Sequence, residues 1–474
     1  MVGRLRRREL LVSSLWLAVV GCTPVTTPMG YLNAEAIRMA VEPYRTPFVT
    51  RHSQPPVVPA GAEVESVPLP PSVVDDFVKM AIERHPRVSR ARFTIDAAQG
   101  RYVQAGLYPN PVLAITGDEI ADRTGPAGIW SAPHITQEFV RGNKLSLAQA
   151  VAAAEVDQAT LTLLAERYAV AAAVRAAFYE ALLLQDRIAI LERLLGLADE
   201  VVRLAQDQLA NQQITQLDLV QLRVEREKFR AEVEATRREL PAAYRRLAAA
   251  AGDPSLAVGP IKGDLDSVPE YDLDQVRETV LATHPDARVA RVGVERARAA
   301  IRRAEAEVIP NVSLSAAYMY QGQNRSNDFA VGLSAPVPLW NRNQGNIRAA
   351  RAELGAAIHD VTRVEAELGE RVATAFQSYA AGYRRAELYR SEVLPRAREA
   401  VELYLKGVKL GQFNNLKALE AQRAIAEAAL ERNKSLANVW KSAAELSGLL
   451  LEEQWPLLRH PEIAPPPRPS GLRQ

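Results

Sequence analysis

Two stretches of the chain alternate apolar and polar positions with the period of two that is typical of β-strands. In the stretch from Val312 to Gln321, one side carries Val312, Leu314, Ala316, Tyr318 and Tyr320. From Phe329 to Leu339 the apolar positions again alternate, at Phe329, Val331, Leu333, Ala335, Val337 and Leu339. Each arm has about ten residues, which is the length of a tilted strand that crosses a bilayer. The opposite side is small and polar, as it is when it lines a water-filled lumen. An amphipathic hairpin on a soluble core would show the same alternation.

The chain repeats itself at an interval of nearly 200 residues, which indicates two related halves. Segment 81–86 recurs at 281–285, 108–111 at 309–312, 174–178 at 372–376, and the leucine pattern of 217–222 at 414–419. The four matches come in the same order at offsets of 199, about 200, 198 and 197. Each half therefore has the same predicted order of elements.

Each half begins with a predicted helix of roughly 35 residues, over about 73–107 and 273–308. A hairpin follows, over about 112–137 and about 312–339. A very long helix comes next, because no proline occurs between His134 and Leu240 and segment 142–209 is rich in good helix formers. In the second half the corresponding segment 343–408 contains Pro395, which predicts a kink or a break. A short turn, at 211–215 and 411–414, then reverses the chain into a returning helix of about 35 residues.

The N-terminus has the pattern of an exported lipoprotein. Several arginines precede a short apolar segment, Leu10–Val20, which is too short to span a membrane and is followed by Cys22. The motif Val19-Val20-Gly21-Cys22 resembles a bacterial lipobox, so we expect lipidation at Cys22 after removal of a signal peptide over 1–22. A plain signal peptide with an incidental cysteine is the alternative.

These patterns divide the chain into six predicted segments. They are the signal peptide 1–22, a proline-rich tether 23–71, a first repeat 72–254, a linker 255–272, a second repeat 273–455 and a disordered tail 456–474. Composition narrows the functional class further. The net charge of +2 does not suggest a nucleic-acid partner, and a single cysteine excludes internal disulfides and a cysteine-rich metal site. The sequence also contains no H-x-x-x-H pair, no G-x-x-x-x-G-K-S/T loop and no evident paired acids for hydrolysis, so we expect no catalytic residues, no cofactor, no metal site and no nucleic-acid partner.

Four strands are too few to close a barrel in lipid. An open edge there leaves backbone groups unpaired, at a cost of several kcal/mol each. The smallest closed barrels that span a membrane have about 8 strands. Two copies would give eight strands and almost no lumen, whereas three copies would give twelve and an open pore. The hairpins therefore predict a homo-oligomer if they enter a membrane.

Two motifs in the second half resemble a known family. Residues 338–346, Pro-Leu-Trp-Asn-Arg-Asn-Gln-Gly-Asn, are similar to the strand-to-helix junction of the TolC-like outer membrane factors, and closest to their metal-efflux branch. Residues 411–423 resemble the periplasmic hairpin tip of that family, and 212–219 resemble the sister tip. The resemblance covers about residues 72–452 and extends to a lipoprotein branch with CzcC-, CusC- and OprM-like members. It implies a mainly α fold in which long coiled-coil helices form an α-barrel, and a trimer shares a twelve-stranded β-barrel.

The resemblance also implies a passive role, without catalysis, and a set of site residues. Relatives carry a ring of acids after the tip turns, and the matching positions are Asp218 and Glu420. The tips that contact an adaptor match Gln213, Ile214, Thr215, Gln412, Phe413 and Asn414. Lys417 stands where relatives often carry an acid, which puts the charge of the gate in doubt, and Gln212 replaces the usual tip glycine. An ordinary solvated helix surface remains the alternative interpretation of both acids.

The expected function is the outer-membrane channel of a tripartite efflux system that exports metal ions or drugs. Its expected partners are further copies of itself, a periplasmic adaptor, an inner-membrane pump of the RND type and outer-membrane lipid. The expected location is the outer membrane, with a lipid anchor and an extension into the periplasm. A periplasmic coiled-coil lipoprotein scaffold without a pore, and a type I secretion conduit, are the alternatives.

Overall fold

A computed structural model describes residues 72–120, 127–322, 324–409, 415–453 and 455. The first half contains α1 (Val74–Arg84), α2 (Pro86–Ala105), β1 (Val112–Ile120), β2 (Ala127–Phe139), α3 (Lys144–Ala210) and α4 (Gln216–Ala250). The second half contains α5 (Leu273–Thr283), α6 (Pro285–Ala306), β3 (Val312–Gln321), β4 (Ser326–Ser334), α7 (Gln344–Leu388), a π-helix (Tyr389–Val393), α8 (Leu394–Lys409) and α9 (Asn415–Leu449). The order of elements thus repeats, and the mainly α prediction is confirmed. The predicted signal peptide, Cys22, the tether and the tail lie outside the described residues.

The first helix of each half is shorter than predicted, because a His-Pro pair divides it in two. The residue before a proline avoids the α region, and both His85 and His284 are extended, with ψ of 131° and 134°. Each proline then begins the next helix, where its missing N–H removes no helical hydrogen bond. The histidine Nδ1 accepts a hydrogen bond of 3.2 Å from the backbone N–H two residues later, so it caps the new helix.

The two hairpins form one antiparallel sheet in the order β1-β2-β3-β4. The expectation that the second hairpin continues to Leu339 is wrong, because β4 ends at Ser334. Pro336 and Pro338 follow directly, and a proline has no N–H to donate to a strand ladder. Segment 335–339 therefore leads out of the sheet toward α7.

The predicted long helix is confirmed, since α3 has 67 residues without a break. A rise of about 1.5 Å per residue gives it a length on the order of 100 Å. In the second half, the corresponding rod consists of α7, the π-helix and α8, which follow one another without a gap. The break that the sequence predicted at Pro395 therefore does not occur. The helix instead widens into the π-helix just before that proline, where the pyrrolidine nitrogen cannot donate to the carbonyl of Ser391.

The repeat offsets explain the π-helix as one extra residue. Phe178 and Phe376 match at an offset of 198, whereas α4 and α9 begin 199 residues apart and both have 35 residues. A π-helix accommodates such an insertion in one wide turn. The helix starts also correct the fourth sequence match, whose offset is 199 rather than 197.

Helix α3 organises the packing of the others. Near its start it contacts α2 and α6, through the 3.3 Å ion pair of Arg101 with Glu155 and a 3.1 Å hydrogen bond from Gln158 to the Val289 carbonyl. Farther along it contacts α4 on one side and α9 on the other, and α9 in turn packs against α7 and α8. In the part nearer the turns, α3 thus lies against both α4 and α9, and α9 also contacts α4.

The largest core cluster lies at the middle of α3, where both halves meet. The rings of Tyr179 and Trp440 stack at 3.7 Å, and Trp455 meets both of them edge-on. The Trp440 indole donates to the Leu265 carbonyl at 3.1 Å. These contacts tie the connection between the halves to the long helix.

A buried arginine fixes the end of α9 to α3. Arg175 donates to the Ser447 hydroxyl at 3.0 Å and to the Glu452 carbonyl at 2.8 Å, and it lies 5.1 Å from the Trp455 ring centre. Burial lowers its pKa, although Glu452 opposes that shift. Removing this side chain would leave buried acceptors without their donor.

Candidate functional site: the sheet and the helix tips

One face of the sheet is apolar and exposed. Across the β3–β4 ladder, Leu314 lies opposite Leu333, Ala316 opposite Val331 and Tyr318 opposite Phe329. Directly opposite residues share a face, so the sequence alternation produces a continuous apolar surface. Phe329 is 81% exposed and Val331 78% exposed. The surface needs a nonaqueous environment or a partner, because exposed apolar patches of this kind are uncommon on soluble monomers.

The other face is small and polar. Ser315 lies opposite Gly332, Ala317 opposite Ala330 and Met319 opposite Asp328. The β2–β3 ladder continues this face with Ser131 and His134. The four described strands contain no lysine or arginine, whereas Glu138 and Asp328 lie on this polar face.

Strands β1 and β4 are the two edges of the sheet. Each of them forms one ladder within the described residues, with β2 and β3 respectively. Their outer edges therefore present backbone groups that a neighbouring strand can pair with.

A partly buried polar network holds the sheet on the helices. Lys144, at the first position of α3, is 8% exposed and donates to the Asn311 side chain at 2.8 Å. The Asn311 amide donates to Glu138 at 2.7 Å, so one asparagine links the end of β2 to the start of β3. The junction also repeats, because Asn143 and Asn343 precede α3 and α7 in the left-handed region, both with φ of 57°. Asparagine tolerates that conformation better than most residues.

The first tip is closed by a capping box. The Thr215 hydroxyl accepts from the Asp218 N–H at 3.3 Å, and the Thr215 N–H donates to the Asp218 carboxylate at 2.9 Å. Hydrogen bonds from the backbone and then the hydroxyl of Thr215 lower the pKa of Asp218. A carboxylate held in this way stays ionised at neutral pH, which a charged gate requires, but its described hydrogen bonds serve the helix end.

The other residues of the first tip are available to a partner. Gln213 and Thr215 are exposed, whereas Ile214 is half-buried against the apolar cluster below. Gln212 adopts a φ of 59°, the conformation that the usual glycine would favour.

The second tip is described in part. Gln412, Phe413 and Asn414 lie outside the described residues. Lys417 and Glu420 lie in the first turns of α9 and are exposed. The suggested gate of Asp218, Glu420 and Lys417 therefore stays a prediction.

An ion pair that the sequence analysis missed joins the two halves near the tips. Arg423 of α9 contacts Glu225 of α4 through two nitrogens, at 3.3 and 3.4 Å, and Lys228 reaches the same carboxylate at 3.1 Å. Burial raises the pKa of Glu225, but these hydrogen bonds outweigh burial and lower it. Glu225 and Arg423 lie 198 positions apart in the chain, so no local sequence pattern indicated that they meet.

Below the tips, a small apolar cluster joins three helices. Tyr404 of α8 packs with residues of α3 and α4, and burial raises its pKa to about 12. The cluster consists of Val201, Val202, Ala205, Leu219, Leu222 and Tyr404. It holds the second-half rod against the first-half hairpin.

The described helices and side chains bear on membrane and metal chemistry. Among the described helices, none combines the length and apolarity needed to cross a membrane. Within the same residues, no group of three or more histidine, cysteine or acidic side chains is arranged to hold a metal ion.

Comparison with known proteins identifies relatives of both halves. A family model described as "Outer membrane efflux protein" matches residues 77–253 and 276–450. The cobalt-zinc-cadmium resistance protein CzcC of Cupriavidus metallidurans is 23% identical over 380 residues, which cover 80% of this chain and 90% of that protein.

Solved structures share the fold. The CusC channel matches with a TM-score of 0.69 and 16% identity, over 80% of this chain and 91% of that chain. The outer membrane protein VceC of Vibrio cholerae matches with a TM-score of 0.67 and 18% identity, over 80% and 95% of the two chains.

Proposed function

The chain belongs to the outer membrane efflux protein family, and from this premise we propose that it forms the outer-membrane channel of a tripartite system that exports metal ions. Membership of that family also confirms the expectation that the chain is not an enzyme. The channel would be a homotrimer, lipid-anchored at Cys22, that meets a periplasmic adaptor at its helix tips and, through it, an inner-membrane pump of the RND type.

The sheet is the observation that carries this proposal. Its apolar face suits lipid, its polar face suits a lumen, and its edges at β1 and β4 call for strands from neighbouring copies. Three copies would supply twelve strands, enough for an open pore. The exposed apolar face also favours a channel over a coiled-coil scaffold whose hairpins pack on protein.

Two observations favour metal ions over drugs as the cargo. The curated relative is named for resistance to cobalt, zinc and cadmium. The polar face of the strands carries Glu138 and Asp328 and no lysine or arginine, and acidic side chains in a pore favour cations. In this proposal the pump supplies the cargo and the energy, and the channel supplies a passive exit.

A matched pair of arginine substitutions tests the orientation of the sheet. Val331→Arg would place a charge on the apolar face, at a cost of about 2–4 kcal/mol near the membrane centre. Ala330→Arg, one residue away, would place the same charge on the polar face. We expect Val331→Arg to abolish insertion into the outer membrane, and Ala330→Arg to insert and to lower the cation preference of the bilayer conductance. Equal insertion of both variants, or a wild-type protein without conductance, would contradict the proposal.

A further inference from the structure

The repeat within the chain offers a template for the contact between chains. In one chain, the returning helix of the second half, α9, packs against the long helix of the first half, α3. Asn433 donates to the Leu183 carbonyl at 3.1 Å and to Asp186 at 3.0 Å. If copies assemble head to tail, as the proposed trimer requires, the equivalent contact joins α4 of one copy to α7 and the π-helix of the next.

The repeat offsets convert this template into residues. An offset of 199 between α4 and α9 makes Glu234 the counterpart of Asn433. An offset of 198 between α3 and α7 makes Arg384 the counterpart of Asp186. Asn433 is 7% exposed inside its contact, whereas Glu234 and Arg384 are exposed in the single chain. The template thus places an acid opposite a base.

The apolar positions agree with this assignment. Ile190 and Leu194 of α3 are buried in an apolar cluster with residues of α4 and α9. Their counterparts in the second half are Leu388 and Val393, at offsets of 198 before the π-helix and 199 after it, and both are exposed. An exposed apolar side chain at a position whose repeat partner is buried indicates a missing neighbour.

The charges next to this first pair are also complementary. One turn toward the tips, Arg230 would lie opposite Glu387, and one turn farther Glu227 would lie opposite Arg390. In the single chain these side chains pair along their own helices, Arg230 with Glu227 at 3.7 Å and Arg390 with Glu387 at 3.0 Å. Such pairs contribute little in solvent, so exchange for contacts across an interface has a low cost.

We propose that α4 of each subunit packs against α7 and the π-helix of the next subunit, with three alternating ion pairs across the contact. Glu234 pairs with Arg384 of the partner subunit. Arg230 pairs with Glu387 of the partner subunit, and Glu227 pairs with Arg390 of the partner subunit. This inference rests on the proposed homotrimer and adds which faces meet and in what register. The π-helix belongs to the contact, because Arg390 and Val393 lie in it and its one extra residue sets their register against α4.

Charge reversal tests the pairing in the full-length, detergent-extracted protein. Glu234→Arg and Arg384→Glu each put like charges face to face, which we expect to lower the trimer-to-monomer ratio about tenfold or more. The double variant Glu234→Arg/Arg384→Glu restores opposite charges and should recover most of the wild-type ratio. Glu232→Arg is the matched control, because Glu232 lies two residues away and pairs with Arg187 of its own chain at 3.3 Å.

A second measurement uses cysteine substitutions, which place no like charges face to face and so do not depend on a destabilised contact. A short thiol crosslinker should join Glu234→Cys/Arg384→Cys into species of two and three chains, and Glu232→Cys/Arg384→Cys far less. The inference is overturned if wild-type trimers conduct ions but the reversals match the control, the double variant shows no recovery, or the two cysteine pairs crosslink alike. A trimer with these couplings but no conductance would overturn the channel and retain the contact, and a monomeric wild-type protein would overturn both.

Discussion

The ion pair of Glu225 with Arg423 predicts how firmly the tips are held together. Among the described residues, this pair joins α4 to α9 through charged groups. The Glu225 side chain is 10% exposed, and that of Arg423 is 50% exposed. One end is therefore screened by solvent, and we assign the pair about 1–2 kcal/mol rather than the larger value of a fully buried pair. Its loss should change the ratio of separated to closed tips about five- to thirty-fold.

The perturbation is Arg423→Gln, which keeps the length of the side chain and removes its charge. Single-channel recording in a planar bilayer measures the ratio of conducting time to closed time, and we expect that ratio to rise by the stated factor. Arg385→Gln is the matched control, because it breaks the 3.2 Å pair of Arg385 with Glu431 inside the second half. If Arg423→Gln and Arg385→Gln give the same conducting fraction as the wild type, the link between the halves does not restrain the tips.

The pH dependence of the link has a defined sign. The pKa of Glu225 is lower in the folded protein than its ordinary value of 4.5. Its contribution is therefore present above that value and is lost as the pH falls through the folded pKa. The wild-type conducting fraction should then rise in acid, whereas Glu225→Gln should have a raised fraction already at neutral pH and a smaller dependence on acid.

Three further substitutions test the tip and the core. Thr215→Ala removes the capping box and should destabilise the first tip by about 1 kcal/mol, seen as faster proteolysis at the tip, whereas Thr215→Ser should not. Gln212→Gly relieves a φ of 59° and should slow the same cleavage; faster cleavage would show that flexibility in the unfolded chain outweighs the relief. Arg175→Met leaves the acceptors at Ser447 and Glu452 without their donor and should lower the free energy of unfolding by about 3 kcal/mol, measured by far-UV circular dichroism during heating, while an unchanged midpoint would refute that role.

The periodic elements could be predicted from sequence because local patterns determine them. The alternation from Val312 gives β3, and the proline-free segment after His134 gives α3. The His-Pro breaks were also within reach, since proline restricts the residue before it. The capping box was also predictable, because a threonine followed three residues later by an acid is a known helix start.

The remaining features depend on contacts between distant residues. Glu225 and Arg423 are 198 positions apart, and no local pattern shows that they meet. The buried Lys144 likewise has a sequence context that suggests an ordinary helix start, and its role follows from Asn311 in the other half. The π-helix could be predicted in part, because the change of repeat offset indicates an extra residue without showing where it is accommodated.

The sheet and the helices that pack on α3 both have one outer element from the first half and one from the second half, and this order constrains the assembly. At each level one edge belongs to the first half, β1 or α4, and the other to the second half, β4 or the α7 rod. A twofold dimer would pair each edge with itself, so that Glu227 and Glu234 of α4 would face the same α4 surface of the other copy. A head-to-tail rotation instead joins unlike edges at both levels and brings opposite charges together. Because one rotation satisfies both the strands and the helices, closure of the barrel in the membrane and closure of the helical tube below it should be a single cooperative step.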